Sequence, residues 1–383
     1  MSGPGSGDAG LYLHIPFCSA ICPYCDFAVR TGGDEARDEF VAALIREIEL
    51  WGEDGWRFGT VYFGGGTPSI LGPERLERIC SHLRDTFALE PDTWLSLEAN
   101  PEDVNPGSLR TWQQLGVRTL SLGVQSFDDA ELRFLGRRHT GEEGRESIRQ
   151  AQEAGFSTVS LDLIFGLPEQ SLAGWRTQLT EAASLEADHI SCYQLTLHEG
   201  TPFARQRDRG RLTEMPDDRQ AELLEATHEV LGAHGLEAYE VSNFARSPEH
   251  RSRHNMKYWN HSPYLGLGPS AHSFRERRRW WNLRDSREWG GQLDRGQKPI
   301  ADHEDLALAD LALEAVMLGL RTVEGIDLEE FGRRFGFDLL ELNRARVEGL
   351  QESGHARVEG GRLALTPRGL AIADGVAGSL EIV

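Results

Sequence analysis

Three cysteines, Cys18, Cys22 and Cys25, follow a short apolar segment (residues 11–15) with the spacing C-x3-C-x2-C. Closed iron–sulfur and structural zinc sites use four protein ligands. Three thiolates from one tight loop are one short of that set, which suits a 4Fe-4S cluster that leaves one iron open to an outside ligand. A zinc site and three unrelated thiols are the alternatives. A free cysteine packs as a small hydrophobe, yet three of them beside Pro16 and Pro23 make a poor core segment. Cys80, in a helical stretch, and Cys192, in a strand-like one, read as buried structural thiols. Five cysteines, an odd number with three clustered, fit a reducing compartment and a metal site better than a disulfide framework.

Other polar groups stand where strand-like segments end. Gly64-Gly65-Gly66-Thr67-Pro68 follows residues 60–63. Its glycines let the backbone approach a ligand closely, although a plain glycine-rich turn has the same composition. Glu98 closes the segment 94–98, Gln125 follows 118–123, and Asp162 sits within Leu161-Asp-Leu-Ile-Phe165. An acid in so apolar a strand is costly unless it is paired or hydrogen-bonded. It is either a ligand-facing group or a scaffold residue held by N–H groups or by a cation, for which Arg137 is a candidate. Farther on, His254-Asn-Met-Lys-Tyr-Trp259 sets an imidazole, a common axial heme ligand, beside Met256 and the flat rings of Tyr258 and Trp259. A hydrogen-bonded turn histidine with core aromatics has the same pattern, and these six residues leave both open.

The elements that must position these groups alternate between helix and strand. Helical periodicity over residues 35–51, 73–87, 107–115, 142–154, 172–185 and 217–234 separates strand-like segments at 60–63, 94–98, 118–123, 158–164, 189–197 and 236–241. A second short helical stretch covers 128–135, and Gly116 is a fitting helix stop. This order implies right-handed parallel βαβ units. Six or seven units are too few for a closed eight-fold barrel, so the expected fold is α/β, a partial (β/α) barrel. In such folds chemistry sits at the C-terminal ends of the strands.

The chain has 383 residues, 39% of them hydrophobic, and a net charge of −21. That length allows two or three domains, and no apolar run reaches membrane-spanning length. Residues 1–9 read as a flexible polar tail without the regions of a signal peptide, so a cytoplasmic location is expected. Residues 10–245 form the expected barrel, and 246–299 a connecting segment that carries the histidine motif. Residues 300–383, apolar helices followed by a hairpin turn at Gly360-Gly361, suggest a small winged-helix-like domain. With 16 acidic and 8 basic side chains over residues 301–383, it reads as a lid or partner-docking unit rather than a DNA binder. The acidic balance argues against an extended nucleic-acid surface. A local exception, six arginines between Arg275 and Arg287 around Trp280-Trp281, could stack nucleic acid or hold an anionic planar ligand; a solvated basic loop is the simpler reading.

The cysteine loop, with Tyr12, His14 and Pro16 before it and Tyr24-Cys-Asp-Phe27 within and after it, resembles the cluster loop of radical S-adenosylmethionine proteins. The resemblance implies that the open iron chelates the amino and carboxylate groups of S-adenosylmethionine. Tyr12, the cysteines, Gly65-Gly66-Thr67, Glu98, Gln125, Arg137 and Asp162 also occur in the order found in the oxygen-independent coproporphyrinogen III oxidase superfamily, over roughly residues 10–290. It implies that Cys18, Cys22 and Cys25 ligate iron and that the other residues contact S-adenosylmethionine, with Thr196 and His272 as additions. The oxidase carries a further cysteine where this chain has Phe27. The Cys-Pro-x-Cys-Asp-Phe pattern, the His254–Trp259 motif, and the runs 239–245 and 264–274 look like the superfamily's heme-chaperone branch.

That branch implies heme as a third bound group, with His254 as the expected contact and the arginines 275–279 facing its propionates. It also implies an acceptor hemoprotein and an electron donor as partners, and no catalytic residue is assigned. A porphyrinogen-decarboxylating radical enzyme is the rival reading, which Phe27 disfavours. An RNA-modifying radical enzyme would use the Arg/Trp segment but conflicts with the acidic balance.

Overall fold

A computed structural model describes residues 9–382. Among these, twelve strands form one sheet: β1 (Ala9–Ile15), β2 (Phe58–Gly65), β3 (Trp94–Ala99), β4 (Val117–Gln125), β5 (Thr158–Phe165), β6 (His189–Gln194), β7 (Glu237–Ala238), β8 (Asn243–Ala245), β9 (Tyr264–Leu267), β10 (His272–Arg275), β11 (Arg278–Asn282) and β12 (Ile300–Asp305). The order is β12-β11-β10-β9-β1-β2-β3-β4-β5-β6-β8-β7, and β12 is not paired with β7, so the barrel is open. Strands β9 and β1 to β6 run parallel, and the flanks are antiparallel.

The strand pattern explains both faces of this sheet. Side chains alternate along a strand. Leu11, Leu13 and Ile15 of β1, Val61 and Phe63 of β2, and Leu161 and Leu163 of β5 are buried in one apolar core. Helices Asp34–Trp51, Pro73–Phe87, Pro106–Leu115, Gly141–Ala154 and Leu172–Ser184 also contribute to it. The intervening residues are polar: Tyr12 and His14, Tyr62, Ser96 and Glu98, Ser121, Ser160 and Asp162, His189 and Ser191. They line the inside of the barrel. Helix Pro106–Leu115 ends as the sequence implies, with Gly116 at φ 90°.

Two expectations about the far strands are corrected. The seventh parallel strand is β9, next to β1, rather than the segment 236–241. That segment supplies only β7, which turns back through four residues to pair antiparallel with β8; so short a link cannot make a parallel crossover. The basic segment is likewise no loop. It forms the β10–β11 hairpin, and β12 pairs with it so that Arg278 meets Asp305 and Arg279 meets Glu304. Opposite charges across a ladder stabilise such a pair.

A second hydrophobic core includes Phe274 of β10 and Leu306, and joins helices Leu308–Gly319 and Leu328–Phe335 to a three-stranded sheet of β13 (Ile326–Asp327), β14 (Ala356–Glu359) and β15 (Arg362–Leu365), ordered β13-β15-β14. Gly360 and Gly361, both at positive φ, turn β14 into β15 as the sequence suggests. The tail expected over residues 1–9 falls, apart from Ala9, outside the described residues. No helix among the described residues is long and apolar enough to cross a membrane.

Candidate functional site

The cysteine loop is tied at its base. Cys18 N–H donates to Arg30 O at 3.0 Å and Arg30 N–H to Pro16 O at 2.7 Å. His14 reaches into it, its Nε2 lying 3.0 Å from Ala28 O and its Nδ1 3.2 Å from the Tyr12 hydroxyl. The glycine loop is laced alongside: Gly66 N–H donates to Ile15 O at 2.8 Å and Thr67 N–H to Phe17 O at 2.7 Å. A Cβ on Gly66 would meet Phe17 O at 2.6 Å and the Cys18 sulfur at 3.0 Å, so this approach requires glycine.

These loops open onto a cavity of about 450 Å³ that runs into the barrel. It is lined by Cys18, Cys22, Cys25, Gly65, Gly66, Thr67, Glu98, Gln125, Arg137, Asp162 and Thr196. The structure therefore gathers, from the ends of six strands, most of the residues singled out in the sequence.

Within the cavity the charges are arranged against burial. Glu98 accepts from the Tyr62 hydroxyl at 2.8 Å and from Gly65 N–H at 3.2 Å. Burial, with a contribution from the nearby Asp162 charge, still pushes its carboxyl up to about 8. Asp162, pushed up to about 6 by burial, accepts from the Ser121 hydroxyl at 3.3 Å. Two acids kept out of water so close together form a receptor for a cationic or hydroxyl-rich ligand. Gln125 ends β4 at φ 68°, where the ladder to β5 is irregular. A left-handed non-glycine residue at a bulge re-aims a side chain, and here it points toward the cavity.

Arg137 is not the partner of Asp162. Its guanidinium donates to Asn100 Oδ1 at 2.6 Å and Gly123 O at 2.8 Å, and approaches the Cys22 sulfur at 3.7 Å. Asn100 also donates to Thr67 Oγ1 at 3.2 Å, joining the glycine loop to the same network. Burial pushes the Cys18 thiol up to about 11 against the hydrogen bond from Thr67, and iron must displace that proton on binding.

The donor set fits a cluster. All three cysteines are free thiols and half-buried around one cavity. Among the described residues no three Cys, His, Asp or Glu side chains converge on a single point; a cubane instead takes each thiolate on a separate iron.

Tyr12, His254 and His272 stand elsewhere. Tyr12 does not line the cavity; Tyr62, stacked on it with ring centroids 6.2 Å apart, takes that position. His272 lies on β10, stacked on Trp281. The heme role expected of His254 does not fit its surroundings. It is buried, with Nδ1 2.9 Å from Thr60 Oγ1 and Nε2 2.8 Å from the Tyr258 hydroxyl, and burial lowers its pKa to about 3. No ring nitrogen is left for iron. The arginines expected to face propionates are also engaged: Arg275 packs over Trp56 and donates to Asp54 O, Arg277 donates to Leu306 O, and Arg278 and Arg279 are paired as above. Tyr62, Asn100 and Ser121 were not foreseen, although their alternation with buried apolar neighbours marks them as inward-facing.

An open parallel barrel with a three-thiol loop after its first strand, glycines after its second and acids on its third and fifth defines the radical S-adenosylmethionine class. The model of the radical SAM superfamily matches residues 12–177, and that of the HemN C-terminal domain matches 306–372. The solved coproporphyrinogen III oxidase of Escherichia coli superposes with a TM-score of 0.84 over 98% of this chain and 90% of that one, at 23% identity, a likeness of fold. The heme chaperone HemW of Mycobacterium tuberculosis is 37% identical over 97% of this chain and 94% of its own length, and that of Bacillus subtilis is 33% identical over 96% and 98%. The chain belongs to the HemW family.

Proposed function

We propose that this chain is a heme chaperone that binds a 4Fe-4S cluster, S-adenosylmethionine and heme, and hands heme to an acceptor hemoprotein. The observation that carries the reading is 33% to 37% identity over nearly the full length to proteins named heme chaperones, together with the cavity that joins three thiols to an acid pair.

Cys18, Cys22 and Cys25 hold the cluster, which supplies an iron open to the amino and carboxylate groups of S-adenosylmethionine. Arg137, buried against Cys22, offsets thiolate charge. Gly65 and Gly66 hold the methionyl end, their missing Cβ atoms letting the loop lie close against His14 and the base of the cysteine loop. Glu98 accepts from the amino group or ribose of the ligand, and Gln125 and Asp162 meet its remaining polar edge. Phe27 occupies the position at which the oxidase has a further cysteine, which favours carriage of a porphyrin over its decarboxylation. An electron donor for the cluster and the acceptor are the implied partners.

Titration of anaerobically reconstituted protein with hemin tests this reading. Saturable, stoichiometric heme absorbance supports it. Lack of saturable binding, with anaerobic turnover of coproporphyrinogen III, would replace it with the enzyme reading.

A further inference from the structure

With His254 sealed in the barrel wall, heme needs another ligand. Three histidines line the cavity: His189, His198 and His250. His189 is held by Ser160 Oγ at 2.7 Å on Nδ1 and by the Tyr239 hydroxyl at 2.9 Å on Nε2. His250 has Thr158 Oγ1 at 3.0 Å on Nδ1 and Asp188 Oδ1 at 3.7 Å on Nε2. His198 differs. Its Nδ1 faces Asp26 Oδ2 at 3.6 Å, and its Nε2 has no hydrogen-bond partner among the described residues. The side chain is about half exposed, at 49%.

With Nδ1 turned toward Asp26, Nε2 is the ring nitrogen turned away from the protein, and imidazole is a common ligand of iron through that atom. Asp26 directly follows the cluster cysteine Cys25, so the pair sits at the mouth of the cavity rather than in its depths.

The surface around this pair is apolar where solvent would favour polar groups. Ile21 and Phe27 line the cavity, yet they are 50% and 61% exposed. An exposed apolar rim beside a concave site marks a ligand surface. The rim and the free imidazole nitrogen match two chemical parts of heme, an apolar plane and an iron.

We infer that heme docks on the cavity mouth, its plane against Ile21 and Phe27 and its iron ligated by Nε2 of His198. This inference deepens the heme reading and rests on it. A single axial ligand and one covered face leave the other face of the macrocycle open, which suits cargo that must be passed on.

The test uses the full chain with its cluster reconstituted anaerobically, titrated with hemin and followed by optical and electron paramagnetic resonance spectra. Wild type should show histidine-ligated heme. His198→Ala, with iron content and cluster absorbance unchanged, should lose that signature and bind at least tenfold more weakly, and added imidazole should restore the spectrum. Phe27→Ser should weaken binding while keeping the histidine signature. A His198→Ala protein with the wild-type spectrum and affinity would overturn the inference while leaving heme carriage intact. Wild type that binds no heme would overturn both.

Discussion

The guanidinium of Arg137 lies 3.7 Å from the sulfur of Cys22, buried and anchored on its other side by Asn100 at 2.6 Å. A fixed cation beside a thiolate stabilises the ligated cluster, and it favours the reduced form, which carries one more negative charge. Arg137→Met should therefore lower cluster occupancy and make the reduction potential more negative by on the order of 100 mV, the size of a unit-charge interaction at an effective dielectric near 20. Anaerobic redox titration of the reconstituted variant checks this.

Glu98 gives a pH dependence with a defined sign. Its folded carboxyl titrates near 8, well above the ordinary carboxylate value of 4.5. Between those values the folded state holds a proton that the unfolded chain has lost. Stability of the cofactor-free protein should thus fall as pH rises from about 4.5 to about 8 and level off above. Glu98→Gln should flatten part of this slope in urea titrations across that range.

The same group governs ligand binding. A carboxylate that accepts a hydrogen bond from the ligand's amino group must first lose its proton. Affinity for S-adenosylmethionine should therefore rise with pH up to about 8, by at most about tenfold per unit. Calorimetry at pH 6 and 8.5 should show a steeper rise in wild type than in Glu98→Gln.

His254 is assigned to packing and makes the opposite kind of prediction. His254→Ala breaks contacts with Thr60 and Tyr258 and empties volume against Gly10 and Tyr62. Stability should drop by about 2–4 kcal/mol, while the spectrum of bound heme stays that of wild type. Denaturant unfolding and hemin titration read the two effects separately.

What could be read in the sequence follows its periodicities. The cysteine spacing, the glycines after β2 and the acids Glu98 and Asp162 were legible because each closes or interrupts an apolar strand, and the cavity gathers them. Tyr62 and Ser121 were harder to see: only the period-two register shows that they face inward, and neighbouring strands must be in place before that face becomes a cavity. His254 misled because an imidazole near aromatic residues has the same local pattern whether it meets iron or Thr60 and Tyr258. The hairpin β10–β11 was hidden because its arginines read as solvated until Asp305 and Glu304, about 25 residues later, pair across it. His198 stands in no motif; its role follows only from a contact with Asp26, far away in the chain.

The most direct test of heme carriage is transfer. Protein reconstituted with its cluster and loaded with one heme is mixed anaerobically with excess apomyoglobin, and the exchange is followed by absorbance. A carrier that holds heme by one axial ligand and one face should give up its heme fully, leaving the cluster intact. Heme that remains on the chain would contradict the account and make this a heme-retaining protein.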